Sequence, residues 1–558
     1  MKQYYFFLLL LCSNLSWGQL PEQHAVDQIF KAWDSSDSPG CALGVMKDGK
    51  LIYAKGYGMA NLEYPIPNSA FSVFRIGSTS KQFTAACIIL LAQNGKLELT
   101  QTLDHFFPDF PDYAKQITVK HLLNHTSGIR DYLTLSYLRG LGNDDYYTDS
   151  DIMSWLINQQ DLNFAPGEEF LYSNSGYWLL GQIVNKVSGQ NMADYAKEAI
   201  FKPLDMTETH FHNNHNQIVN NRASGYRPTK ENGYEISMTT LDMIGDGGIF
   251  TTINDIKKWD DSYYNSSVLN KAFWEQMCEQ GRLNDGTVLD YASGLGIGSH
   301  KGLKTISHGG AFVGFRAELI RFPEQHFSVA IFANRADSNP SQMALQVADV
   351  FLKSEFKSDE NTTNPANQSA TAAVNFIDLS TTELEQYCGH YWNPENLLAR
   401  KIYLRDGMLR YFRSETNESD LKPFGKNAFK MVNVGGDVTV SFQKQPDGRY
   451  NMLFRVNDDP DSVSIPFTPK DYNPSELKAF AGDYHSSELN VVYSIKLEAN
   501  QLMLYVNQKK ISPLKTVLTN VFSNTDFGTF QFNTDHMGQP TSFTLAAGRV
   551  KNLKFKKQ

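Results

Sequence analysis

Arg75-Ile76-Gly77-Ser78-Thr79-Ser80-Lys81-Gln82-Phe83-Thr84-Ala85-Ala86-Cys87-Ile88-Ile89-Leu90-Leu91 is the stretch on which the reading of this chain turns. A serine three residues before a lysine on a helix puts both side chains on one face, so the amine reaches the hydroxyl. To act as a base the lysine has to be neutral, which takes burial or a neighbouring positive charge. The spacing alone selects nothing, because Ser-x-x-Lys also occurs at Ser354, Ser419, Ser441, Ser475 and Ser512. Only Ser78 directly precedes a long apolar helix, Phe83 to Leu91, which buries the lysine stem and sets the hydroxyl near a helix N-terminus.

Working outward, Gly40-Cys41-Ala42-Leu43-Gly44-Val45-Met46 and Leu51-Ile52-Tyr53-Ala54-Lys55-Gly56 flank Asp48-Gly49, a hairpin pattern, so antiparallel strands precede the serine. Helices are predicted over Lys81 to Gln93, stopped by Asn94-Gly95, and over Tyr177 to Val187, stopped by Ser188-Gly189. Strand-like runs return at Arg316 to Phe322 and Phe327 to Asn334. Strands at both ends with helices between them predict an α+β domain. The composition then turns to Ser, Asp, Asn, Thr and Pro without apolar periodicity, a linker over 354–374. Beyond it Leu384, Tyr387, Gly389 and Tyr391 recur as Leu477, Phe480, Gly482 and Tyr484, each 93 positions later. Both copies are rich in short alternating strands, so two small antiparallel β-barrels are expected over 375–470 and 471–558.

A chain of 558 residues is too long for one core, and 41% apolar with 20% charged residues is an ordinary globular composition. The formal charge of −9 leaves no basic stripe for a phosphate backbone, which argues against nucleic acid as a partner. Met1-Lys2-Gln3 and the apolar run Tyr4 to Cys12 read as a secretory signal over 1–18, with cleavage after Ser16-Trp17-Gly18. The expectation is a secreted or periplasmic protein without a membrane span after cleavage, since so short a run cannot cross a bilayer. Cys41, Cys87, Cys278 and Cys388 are scattered, so neither a disulfide framework nor a metal knuckle is indicated, and mostly buried thiols are expected.

Acyl transfer at Ser78 needs a second proton-handling group near the leaving atom and a strand edge that supplies an oxyanion donor. Tyr172-Ser173-Asn174 offers the first: Tyr-x-Asn recurs at Tyr263, Tyr391 and Tyr505, but only Tyr172 ends a loop just before a predicted helix. In that position Tyr172 also suits a packed aromatic and Asn174 a helix N-cap. His308-Gly309-Gly310 offers the strand, its glycines letting a substrate lie close to the backbone.

With Arg75-Ile76-Gly77-Ser78-Thr79-Ser80-Lys81, Leu122-Leu123-Asn124-His125-Thr126-Ser127-Gly128, Tyr172-Ser173-Asn174, Gly245-Asp246-Gly247-Gly248 and His308-Gly309-Gly310 in this order, residues 19–353 resemble the class C serine β-lactamases and their penicillin-binding relatives, D-aminopeptidases and carboxylesterases included. The resemblance implies a penicillin-recognising fold, an antiparallel sheet with a helical subdomain, and no cofactor or metal. It implies Ser78 as nucleophile, Lys81 as its activating amine, Tyr172 as general base or acid and Asn174 as a substrate-orienting amide. The backbone N–H groups of Ser78 and Ala311 would form the oxyanion hole, with His308, Gly309 and Gly310 lining the substrate.

One departure matters. Class C β-lactamases carry Lys-Thr-Gly where this chain has His308-Gly309-Gly310, so the cation and hydroxyl that hold a β-lactam carboxylate are changed. Together with two lipocalin-like barrels after the catalytic domain, this is similar to the three-domain D-aminopeptidases, in which a barrel loop helps shape the pocket. The expected substrate is a small peptide, amide or ester, foremost an amide with an N-terminal D-residue. A carboxylesterase, a class C β-lactamase and a penicillin-recognising binding protein are the alternatives. His210, His212 and His215 cluster without a carboxylate or cysteine at a recognised metal spacing, and His121 and His125 lack the glutamate a metalloprotease needs at Leu122.

Overall fold

Asp48 and Gly49 both adopt positive φ, 49° and 71°, the backbone that a tight two-residue hairpin requires. They join β1 (Cys41–Lys47) to β2 (Lys50–Tyr57) in the computed structural model, which describes residues 21–356 and 375–558 apart from 143, 232, 266, 415–416, 433, 435–436 and 457–459. The signal read over 1–18 and most of the linker read over 354–374 lie outside the described residues. Four later strands complete the sheet: β3 (Gly296–His300), β4 (Leu303–Phe312), β5 (Phe315–Phe322) and β6 (Phe327–Ala333). Their order is β3-β4-β5-β6-β1-β2, and every neighbouring pair is antiparallel. The first strand therefore lies against the last, with Cys41 opposite Ala333.

Helix α1 (Pro21–Phe30) and a C-terminal helix, Pro340–Phe351, cover one face of this sheet, where Val26, Phe30 and Val347 pack on Leu43, Val329 and Ile331. The helical subdomain covers the other face. With both faces covered, β6 is buried at every position, hence the apolar run Phe327–Ala333 broken only by Ser328, whose hydroxyl donates to Asp260 (2.9 Å). Helix α2 (Lys81–Gln93) occupies the centre and is buried from Lys81 through Ile89. A helix buried on all sides has no solvent-facing polar stripe, which is why residues 85–91 are apolar throughout, while the buried polar residues of its first turn, Gln82 and Thr84, are hydrogen-bonded. Each of Phe83, Ile88 and Ile89 contributes roughly 1.5–3 kcal/mol by leaving water.

Two closed eight-stranded barrels follow, the first β7–β14 from Gly389 to Phe467 and the second β15–β22 from Gly482 to Lys557. The penicillin-recognising fold with two appended barrels, expected from the sequence, is the fold observed. The repeated residues have one job in both copies. Leu384 and Leu477 on short helices plug the barrel ends, while Tyr391 donates to the Tyr387 carbonyl (2.8 Å) and Tyr484 to that of Phe480 (2.9 Å).

The barrels differ in how they dock. The first has an apolar core of its own, whereas the core of the second is continuous with the helical subdomain. Tyr493 donates to the carbonyl of Leu138 (2.7 Å), Phe527 packs on Tyr137 (5.1 Å), and Arg130 pairs with Glu488 (2.9 Å) with both side chains buried. Among the described residues no helix is long and apolar enough to cross a membrane. The thiols run from fully buried, Cys41 and Cys87, to exposed, Cys388, and all four are free.

Candidate active site

Ser78 lies in a single 3-10 turn, Gly77–Ser80, that runs directly into α2. Strand β4 presses against that turn: Thr79 donates to the His308 carbonyl at 3.1 Å. A Cβ on Gly310 would stand 1.9 Å from the Ile76 carbonyl oxygen, and one on Gly77, which has φ 52°, would stand 2.8 Å from the Ala311 nitrogen. Only glycine fits at either position. The close approach brings the backbone of Ser78 and Ala311 to the wall of one cavity of about 490 Å³, lined also by Tyr172, Asn174, His308, Gly309 and Gly310. All eight residues expected at a site thus meet here, with Lys81 reaching it from beneath through its bond to Ser78.

Lys81 is fully buried, and its Nζ lies 3.2 Å from Ser78 Oγ, 2.9 Å from Asn174 Oδ1 and 2.5 Å from the Asp246 carbonyl oxygen. Two of these partners are carbonyl oxygens and can only accept, so a neutral amine spends both N–H groups on them. In that neutral form the lone pair would face the one partner that can donate, the Ser78 hydroxyl. The Gly245-Asp246-Gly247-Gly248 motif thereby acquires a task, to present a main-chain oxygen to the lysine. The Asp246 carboxylate accepts from Tyr132 Oη (3.0 Å), and its burial raises its pKa.

Helix α4, Asn174–Ser188, follows α3, Tyr132–Leu138, as the next support. Its N-cap is Ser173, whose Oγ accepts from Gly176 N (3.4 Å), so Asn174 is not the cap that its position also suited. Asn174 is instead the first helical residue, with its side chain free for Lys81. Asp131 fixes it by accepting from its backbone N–H (2.7 Å) while also capping α3 through Thr134 N (3.1 Å).

Tyr172 sits with its ring centroid 4.8 Å from Lys81 Nζ, and its buried hydroxyl has no hydrogen-bond partner among the described residues. An orphaned buried hydroxyl beside a cavity is a group kept for something that enters it. His125 holds the ring from behind at 4.2 Å, its Nδ1 accepting from Ser173 N (3.1 Å). Burial and the charge of Lys81 depress the His125 pKa well below the usual range, so it is a neutral packing ring. His121 caps its own helix by accepting from Thr118 N (3.2 Å), so these two histidines do not converge. His210 contacts His212 (3.2 Å), and His215 pairs instead with Asp242 (2.9 Å).

His308 Nδ1 lies 2.6 Å from the carbonyl of Gly309, which can only accept, so Nδ1 carries the proton and Nε2 accepts from Tyr291 Oη (2.9 Å). Burial, reinforced by Lys81, pushes its pKa down to about 4. Tyr291 is a supporting residue the sequence did not single out, because its segment carries no motif. Behind Gly309 lies Glu318, buried and bonded by Ser341, with a pKa raised to about 7 by burial. The second barrel adds Arg549, whose guanidinium stands 4.7 Å from the centroid of the Tyr172 ring and lines the same cavity.

Comparison with known proteins gives a consistent result. A family model described as Beta-lactamase matches residues 26–350, more than half of the chain. The chain is 30% identical over 314 residues to penicillin-binding protein 4* of Bacillus subtilis (strain 168), covering 53% of this chain and 68% of that protein. It is 26% identical over 296 residues to a D-aminopeptidase of Gluconobacter oxydans (strain 621H), covering 53% of this chain and 56% of that protein. Among solved structures, an octameric penicillin-binding protein homologue from Pyrococcus abyssi superposes with a TM-score of 0.55 at 22% identity, covering 80% of this chain and 99% of that one. The D-amino acid amidase from Ochrobactrum anthropi SV3 gives 0.51 at 22% identity, over 60% of this chain and 99% of the amidase.

Proposed function

Because the chain belongs to the beta-lactamase family, we propose that it is an exported serine hydrolase that cleaves amide bonds of D-aminopeptidase type through an acyl-enzyme at Ser78. The observation that carries this reading is the Lys81 amine, held by two carbonyl oxygens so that its remaining position faces the Ser78 hydroxyl. Lys81 in its amine form takes the proton of Ser78 as Oγ attacks the substrate carbonyl. The Ser78 and Ala311 N–H groups receive the oxyanion. Tyr172 passes a proton to the departing nitrogen, and water releases the acyl group by the reverse relay.

The preference for an amide of an N-terminal D-residue rests on two supports. His308-Gly309-Gly310 carries neither the lysine nor the hydroxyl of a β-lactam clamp, and the curated relatives include D-aminopeptidases, of which this chain spans little more than half. The test compares a D-alanyl anilide, its L-form, a nitrophenyl ester and a chromogenic cephalosporin on wild type and Ser78→Ala. Preferential turnover of the D-anilide, lost in the variant, is expected. Faster ester turnover would make the protein a carboxylesterase, rapid cephalosporin turnover a β-lactamase, and a stoichiometric burst without turnover a binding protein. Export is tested by sequencing the N-terminus of the mature protein, expected to be Gln19.

A further inference from the structure

We propose that Arg549, carried by the second barrel, recognises a carboxylate on the leaving-group side of the substrate, so that the preferred substrates are short peptides whose released part is an amino acid with a free carboxylate. The inference rests on the amide-hydrolase reading above and narrows it. Arg549 lies in the turn between strands Pro540–Ala547 (β21) and Val550–Lys557 (β22), far in sequence from every motif of the catalytic domain.

That turn is pinned by its backbone. Asn163 donates to the Arg549 carbonyl (3.0 Å) and accepts from Lys551 N (2.7 Å), while the Arg130 guanidinium donates twice to the Lys551 carbonyl (3.1 and 3.0 Å). Lys551 Nζ is itself paired with Glu169 (2.7 Å). The main chain is therefore fixed on both sides of a side chain that is left to the cavity. Among the described residues the Arg549 guanidinium donates no hydrogen bond, and it is 42% exposed. It forms an ion pair with the buried Asp131 carboxylate at 3.6 Å, longer than a hydrogen bond, while the Asp131 oxygens accept from Thr134 N and Asn174 N. A planar guanidinium with unused N–H groups matches a carboxylate with two parallel hydrogen bonds.

Neither of the other arginines lining the cavity stands over the Tyr172 ring, although buried Arg75 also keeps its Nε without a hydrogen-bond partner among the described residues. Arg75 is buried and turned onto Phe312 (5.0 Å), and Arg316 donates to the carbonyls of Val313 (2.9 Å) and Phe315 (2.7 Å). Which end of the substrate Arg549 meets follows from Tyr172. The guanidinium lies over the ring whose hydroxyl protonates the departing nitrogen, so it faces the part that departs. A cation lost from the His308-Gly309-Gly310 strand is thus supplied by a different domain.

The test uses the full-length enzyme and two pairs of substrates that differ only in one charge: D-alanyl-glycine against D-alanyl-glycinamide, and the corresponding D-alanyl esters of glycolate and glycolamide. The readout is the ratio of kcat/KM, carboxylate over carboxamide, on whichever pair wild type turns over faster. Arg549→Gln is expected to lower that ratio about ten- to a hundredfold, mainly through KM, and Arg549→Lys to restore part of it. If Arg549 served only to latch the barrel, both members of a pair would lose activity in parallel and the ratio would not move, which overturns the inference while leaving the hydrolase reading intact. Absence of wild-type turnover on both pairs while the D-alanyl anilide is cleaved would overturn this inference alone, and absence on the anilide as well would overturn the hydrolase reading with it.

Discussion

Lys81 has three hydrogen-bond partners, and only one of them can return a proton. This makes Lys81→Met a sharp test: loss of the base is expected to reduce kcat about 10²–10⁴-fold with KM little changed, measured on the best amide substrate. His308 supplies a pH test. Its pKa falls from 6.5 unfolded to about 4 folded, so the unfolded chain takes up a proton that the native state refuses. Its contribution to stability is present above pH 6.5 and is lost as pH falls through the window to about 4, by up to about 3 kcal/mol. Thermal unfolding of His308→Gln should therefore depend less on pH across that window than wild type. Glu318 runs the other way: its pKa rises from 4.5 to about 7, so its contribution is lost as pH rises through that interval. At this scale the sequence was legible where a motif recurred in fixed order, as for Ser78, Lys81, Tyr172 and Asn174. It was silent on Tyr291 and Arg549, which reach His308 and the cavity wall by tertiary placement and leave no local pattern.

The elements matter because the site is assembled where three of them meet: the 3-10 turn before α2, the start of α4 and the edge of β4. The contact between turn and strand is set by backbone distance. Gly310→Ala would put a methyl group within 1.9 Å of the Ile76 carbonyl, which no rotamer relieves. The strand has to shift, at a cost of about 1–3 kcal/mol or more, and the oxyanion donors separate. The expected result is a fall in kcat and in the rate of acylation together with a lowered melting temperature. Element positions were well anticipated, since Lys81–Gln93 is a helix to the residue and the Asp48-Gly49 hairpin forms where its turn chemistry demands. The helical run was read from Tyr177, three residues late, and taking Asn174 as the cap would still start α4 one residue late, because Ser173 does the capping.

At the level of the whole molecule the second barrel belongs to the catalytic unit. Arg130 and Glu488 form a buried ion pair across that junction, with side-chain exposures of 0% and 7%. Arg130→Met leaves the Glu488 carboxylate buried without its partner and is expected to cost about 3–5 kcal/mol, read by chemical denaturation. Activity toward the carboxylate peptide should fall with it, since the same arginine also holds the Lys551 carbonyl beside Arg549. The two barrels were readable from the repeat at an offset of 93, but the difference in their docking was not, because the repeat rests on a few shared positions and the residues that join the second barrel to the helical subdomain, such as Tyr493, lie outside them. The central claim, a nucleophilic Ser78, is tested most directly by peptide mass spectrometry after reaction with a phosphonate acyl-transfer probe. A single adduct on the peptide containing Ser78, absent together with turnover in Ser78→Ala, is the expected result. An adduct at another residue, or full turnover in Ser78→Ala with no adduct at Ser78 in wild type, would contradict it.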